Sequence, residues 1–284
     1  MGSGVSVQNV TVTYPSELSQ QSTVEGLIGK LDGDNIWNKL EKFTEFHNRY
    51  YTTDLGKEAS DWLREQVQAV VDESGVEGVT VKAFEHEFKQ DSIIATVPGK
   101  STDKIVVGGH LDSINLSDRE NGRAPGAGTF EIFLSAPPPP LPPFDLPFPS
   151  HALLTPLSPN IGTDDNGSGT MTILEALRVL LTDPTIAAGE AAQTLEFHWY
   201  AGEEAGLLGS NDLFETYAAD GEIVKGMLQQ DMTGYGDNPL GVVTDNVDEG
   251  LTEFIKKVID EVSQPPPPSS HFNTHVQPPR QAWM

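Results

Sequence analysis

The chain has 284 residues, 17 Lys and Arg against 42 Asp and Glu, and a formal net charge of −25 at pH 7. That length suits one large domain or two small ones with a sizeable core, and a chain this acidic lacks the basic face that nucleic acid or an anionic membrane would need, so neither is expected as a partner. It contains no cysteine, which excludes disulfide scaffolds, zinc fingers and thiol catalysis.

No apolar run approaches the ~20 residues that span a bilayer. The opening MGSGVSVQNVTVTYPSEL has neither a basic n-region nor an apolar h-region, so no signal peptide is expected in this chain. Residues 1–34 read as an N-terminal segment, propeptide-like or flexible. Helical spacing then puts Trp37, Leu40, Phe43 and Tyr50 near one face over 36–51, and Trp62, Leu63, Val67, Val70 and Val71 near another over 57–73. Strands are expected at 78–84, 92–97 and 104–109, a helix at 167–182 ending before Pro184, and a strand at 193–200. A helix near 206–219, strands near 225–231 and 240–244, and a helix at 249–262 follow. Strands alternating with helices predict an α/β fold with a mixed, mostly parallel central sheet sandwiched by helices.

Proline interrupts this order twice. Ten of the 21 prolines lie between Pro137 and Pro159, and six between Pro265 and Pro279. The first group sits in residues 127–161, which lack Lys and Arg, and the second in 264–284. Neither stretch has helical or strand periodicity, and such runs favour extended polyproline conformations. One domain over 35–262 is expected, interrupted by a Pro-rich insertion at 127–161 and followed by a disordered Pro-rich tail at 263–284.

Four acidic or histidine clusters sit where expected strands end or helices begin. KIVVGGHLDS delivers His110 and Asp112 to the carboxyl end of a buried strand, where ligands collect in open α/β sheets. His110 can ligate a metal through one ring nitrogen while Asp112 holds the other, although a strand-end histidine making an ordinary hydrogen bond reads the same. GTDDNGSG, residues 162–169, opens a helix with Asp164 and Asp165 followed by glycines; a cap on that helix from Asp165 or Asn166 explains it equally well. WYAGEEAGLLGS places Glu203 and Glu204 after an apolar strand, either as metal ligand and general base or as a solvated turn. QQDMTGY sets Asp231 at a strand end. Together, one histidine and several carboxylates at successive strand ends describe a carboxylate-rich two-metal hydrolytic site, with zinc accepting nitrogen and oxygen ligands.

The strings VVGGHLDS, GTDDNGSG, AGEEAGLLGS and QQDMTGY, in this order, resemble metallopeptidase family 28, and FTEFHNRYYTTDLGKEASDWLREQV looks like its secreted leucine aminopeptidases of the fungal type. The resemblance covers residues 35–126 and 162–262. It implies a zinc-exopeptidase-like mixed sheet between helices and a zinc-dependent aminopeptidase, secreted and monomeric, acting on peptides with apolar N-terminal residues. It also implies two zinc ions. His110, Asp165 and Asp231 would hold one, with Asp165 bridging to a second that Glu204 also binds. Glu203 matches the general base, Asp112 the aspartate that orients the ligand histidine, and Asp164 stands behind the ligands. The N-terminal FTEFHNRYY stretch favours an aminopeptidase over a carboxypeptidase or glutaminyl cyclase of the same fold.

Two departures stand out. RAPGA at 123–127 is separated from DDNGSG by about 35 alien residues, and the family's further C-terminal part, with a final ligand histidine for the second zinc, is missing. Translation through two introns accounts for both, since Gly128-Thr129 and Val262-Ser263 are compatible with splice donors; a divergent insertion with a short tail is the rival. The competing functional expectation is an inactive or poorly folding fragment. His271 and His275 have i,i+4 spacing, but the prolines around them argue against a helix that would make them ligands. His47, His86, His151 and His198 read as ordinary surface or core residues.

Overall fold

A computed structural model of the chain describes residues 12–124, 164–234 and 241–262. The insertion at 127–161, the tail at 263–284, and His151, His271 and His275 lie outside the described residues.

Helix α1 (Gln21–Ile28) falls in the segment read as an N-terminal extension. Helix α2 (Gly33–Phe43) starts where the Asp32 carboxylate accepts the Asp34 amide. It ends earlier than the helix expected over 36–51. The Asn48 side chain bonds the Tyr50 amide and the Arg119 and Gly122 carbonyls, which holds residues 48–50 in a non-helical turn. Trp37, expected on the buried face, is 45% exposed. Helix α3 (Asp54–Ser74) is capped by Thr53, whose hydroxyl accepts the Gly56 amide, and closed by Gly75 at φ +66°.

Strands β1 (Thr80–Phe84), β2 (Ser92–Val97) and β3 (Lys104–His110) lead to helix α4 (Gly169–Leu180) and the short α5 (Pro184–Ala187). Asp183 caps α5 with Pro184 at its first position, a helix signal that the periodicity reading passed over. Strand β4 (Thr194–Tyr200), helix α6 (Leu208–Asp220), strand β5 (Val224–Gln229) and helix α7 (Glu249–Val262) follow. The strand expected at 240–244 is absent from its described part, 241–244, where Val243 is 70% exposed and no sheet neighbour covers it.

The sheet has the order β1-β2-β4-β3-β5. β2 pairs antiparallel with both β1 and β4, whereas β3 runs parallel to β4 and β5, so the sheet is mixed and every strand but β2 points the same way. Alternation along β2 and β4 serves two faces. Ile93, Ala95, Phe197 and Trp199 pack with α2, α3 and α4 in the main core. Ile94 and Tyr200 pack with Leu213 of α6 on the other face. The sheet is therefore sandwiched by helices, and the carboxyl ends of its three parallel neighbours β4, β3 and β5 lie side by side.

That second face also carries charge. Glu196 accepts hydrogen bonds from the Tyr217 hydroxyl and His198 Nε2, with Lys104 Nζ 3.4 Å away. Burial raises the Glu196 pKa, but these donors overcome it and bring it down to about 2.

Candidate metal centre

His110 ends β3 opposite Tyr200, the last residue of β4, and is fully buried. Its Nε2 lies 3.0 Å from Asp165 Oδ1, 3.7 Å from Asp231 Oδ1 and 3.8 Å from Glu203 Oε2. One ligand atom each from His110, Asp165 and Asp231 fall within 4.8 Å of one another. Tetrahedral zinc with bonds of ~2.0–2.1 Å separates its ligand atoms by about 3.3 Å, so this donor set fits such an ion.

Asp112, also fully buried, stands behind the histidine. Its Oδ1 lies 3.3 Å from His110 Nδ1, while Nε2 faces the other carboxylates. The same carboxylate accepts the backbone amides of Glu203 at 3.0 Å and Glu204 at 3.2 Å. One aspartate thus orients the histidine and fixes the turn that presents both glutamates. Gly202, at φ +61°, allows the chain to leave β4 into that turn.

The charges are closely coupled. Burial lowers the His110 pKa, yet hydrogen bonds to Asp112, Asp165 and Asp231 more than compensate and leave it well above its ordinary value. Glu203 is pushed up, first by burial and then by Asp112, Asp231 and Asp165, with His110 opposing. Glu204 is pushed up to about 7 by burial and by Asp165, again against His110. Such carboxylates ask for a cation.

Six of the seven residues singled out in the four clusters, His110, Asp112, Asp165, Glu203, Glu204 and Asp231, come together here. Asp164 turns away from it: its Oδ1 accepts the Ser168 hydroxyl and the Gly234 amide. The apolar groove lined by Leu18, Val24, Phe254, Val258 and Val262 shares no residue with the centre.

Several supporting groups escaped the sequence reading. Arg49 is fully buried, donates from Nε to the Leu111 carbonyl at 2.9 Å and lies 4.3 Å over the Phe43 ring. Burial pulls its pKa to about 10 against Asp112, Asp165 and Glu204, so it remains a cation behind the acidic cluster at neutral pH. His86, read as an ordinary histidine, bridges Asp212 Oδ2 at 2.6 Å and Ser92 Oγ at 2.8 Å. This looks like a nucleophile relay, but Ser92 is wholly buried and its Oγ accepts the Ala201 amide just before the glutamate turn. It supports that turn rather than meeting substrate.

An α/β scaffold that brings a histidine and carboxylates together near the ends of adjacent parallel strands suits metal-assisted hydrolysis. Comparison with known proteins makes the assignment specific. Residues 92–276 match Peptidase family M28, and the chain belongs to that family. Leucine aminopeptidase 1 of Arthroderma gypseum is 44% identical over 276 residues, covering 94% of this chain and 64% of that protein. Leucine aminopeptidase 1 of Pyrenophora teres f. teres is 45% identical over 261 residues, covering 89% and 58%. The chain therefore spans about three fifths of the length of these relatives. Among solved structures, the LapA aminopeptidase of Legionella pneumophila superposes with a TM-score of 0.66 at 26% identity, covering 89% of this chain and 58% of that one. LapB of the same organism shares the fold, with a TM-score of 0.65 at 24% identity over 88% and 58% of the two chains.

Proposed function

We propose that this chain is a zinc-dependent aminopeptidase that releases N-terminal, apolar residues from peptides. The observation that carries the reading is the convergence of His110, Asp165 and Asp231 within one ligand sphere, with Glu203 at its rim. These three would hold one zinc, and Asp165 with Glu204 would hold a second. Zinc in such a site polarises a carbonyl and lowers the pKa of water.

The chain's own residues do the remainder. Asp112 keeps the His110 proton on Nδ1 so that Nε2 is free to ligate. Glu203 is partly buried and raised in pKa, so it can take the proton of the attacking water and return it to the leaving amine. A peptide's free α-amino group carries positive charge near neutral pH, and the carboxylate-rich mouth draws it in. The preference for apolar residues rests on the relatives named leucine aminopeptidase. The resemblance to secreted fungal-type enzymes supports secretion. Among the described residues no helix is long and apolar enough to cross a membrane.

The test is hydrolysis of a leucine chromogenic amide by the 284-residue chain, with and without zinc, beside Glu203→Gln. Zinc-dependent turnover that falls by about 10²–10⁴-fold in the variant is expected. No turnover from a folded, zinc-loaded chain would favour the inert-fragment reading instead.

A further inference from the structure

The three proposed ligands arrive on separate chain segments. Asp231 is the most loosely held of them: it follows β5, a strand at the sheet edge, and its side chain is 40% exposed. Something must fix its distance from Asp165 and His110. A single buried amide lies where that could be done.

We propose that Asn166 is the positioning residue of the metal centre, a clamp that locks Asp231 to Asp165 and to the strand bearing His110. Its side chain is fully buried. Nδ2 donates to the Gln230 carbonyl at 2.8 Å, and Oδ1 accepts the Met232 amide at 3.2 Å. Asn166 therefore grips both chain neighbours of Asp231 while being itself the next residue after Asp165. The Gln230 amide donates to the Gly108 carbonyl at 2.7 Å, two residues before His110, which closes the link to β3.

The space around the clamp is reserved for it. A β-carbon at Gly109 would lie 2.8 Å from the Gln230 carbonyl oxygen and 3.1 Å from Asn166 Nδ2, and one at Gly169 would run into Asn166 Oδ1. Met232 takes φ +49°, a bend beside the grip that turns the chain after Asp231. Asn166 Oδ1 also accepts the Gly169 amide, the first of α4, at 3.0 Å, a cap-like bond made from two residues before the N-cap position Ser168. The cap and the clamp are separable. Serine caps a helix as well as asparagine does, but its short hydroxyl cannot bridge both Gln230 and Met232.

The inference rests on the zinc reading above, and its test reads metal affinity. The full 284-residue chain and its variants are titrated with zinc against a chromogenic chelator, and melting is followed with and without zinc. Asn166→Ser is expected to weaken zinc binding by about 10–100-fold, the usual effect of removing a residue that orients ligands. Asn166→Asp, which sets a carboxylate against the Gln230 carbonyl, should weaken it likewise. Leu213→Ala, in the core cluster with Ile94 and Tyr200, should lower the melting temperature yet leave zinc affinity within about twofold, because that cluster contains no proposed ligand and no partner of Asn166. Parental zinc affinity in Asn166→Ser would reduce the residue to a helix cap and overturn the clamp. So would an equal loss of affinity in Leu213→Ala, or an Asn166→Ser chain that fails to fold even with zinc. A parent chain that binds no zinc would overturn the metal reading itself, and the clamp with it.

Discussion

Glutamate 204 is the residue at which the charge of the metal-free centre can be weighed. Burial and Asp165 hold its pKa at about 7 against an ordinary 4.5. Between those two values the unfolded chain gives up a proton that the folded chain keeps, so folding stability falls as pH rises from 4.5 to 7. Above 7 the penalty is constant, and below 4.5 it vanishes. A shift from 4.5 to about 7 corresponds to about 3.4 kcal/mol as a ceiling, and partial solvent access reduces it to ~1–2 kcal/mol. Glu204→Gln removes the ionisation and with it the penalty. In a chelator at pH 8 the variant should be ~1–2 kcal/mol more stable than the parent, and at pH 4.5 the two should coincide. Urea unfolding followed by circular dichroism at pH 4.5, 6 and 8 measures this directly. With zinc present the order should narrow or reverse, since the parent gains more from the cation. A variant less stable than the parent at pH 8 without metal, or a difference independent of pH, would refute the electrostatic account of the centre.

The other predictions concern the groups around it. Asp112→Asn removes the charge behind His110 and turns one of the two acceptor oxygens into a donor facing a backbone amide or the imidazole, and zinc affinity measured by chelator competition should fall about 10–100-fold. Gly209→Ala drives a β-carbon against the Ala201 backbone and to 2.9 Å from Ser92 Oγ, so it should cost ~1–3 kcal/mol in urea unfolding. Glu196, with its pKa drawn down to about 2, contributes stability that is present above about pH 4.5 and lost as pH falls toward 2. Glu196→Gln should therefore flatten the acid limb of the stability profile in that window, as read by acid titration of the circular dichroism signal.

The strand ends that carry the proposed site residues were legible because the apolar strands β3 and β4 stop abruptly and polar residues follow, as VVGG gives way to His110 and WYAG to Glu203. Helix α3 was legible too, since Leu63, Val67, Val70 and Val71 keep one face over 21 residues. What stayed hidden depends on contacts distant in sequence. Arg49 sat inside an expected helix, and only the Asn48 turn releases it to reach Leu111, 62 residues on. β2 lies antiparallel between β1 and β4, a pairing that no local pattern encodes. The polar face of β4 read as apolar because Glu196 and His198 were not seen to meet Tyr217 and Lys104. Asn166 looked like part of a capping sequence, which it is, but its second role needs Gln230 beside it.

Arg49 has a consequence for how the molecule can be divided. The family match begins at residue 92, yet the guanidinium supporting the His110–Asp112 bend comes from residue 49. The core that seats β2 and β4 likewise needs Leu40, Phe43, Leu63 and Val67 from α2 and α3. A fragment cut at residue 92 would keep every proposed ligand and lose the Arg49 guanidinium and the α2 and α3 packing behind them. The segment that matches the family model therefore stops short of the residues that wall the centre from behind.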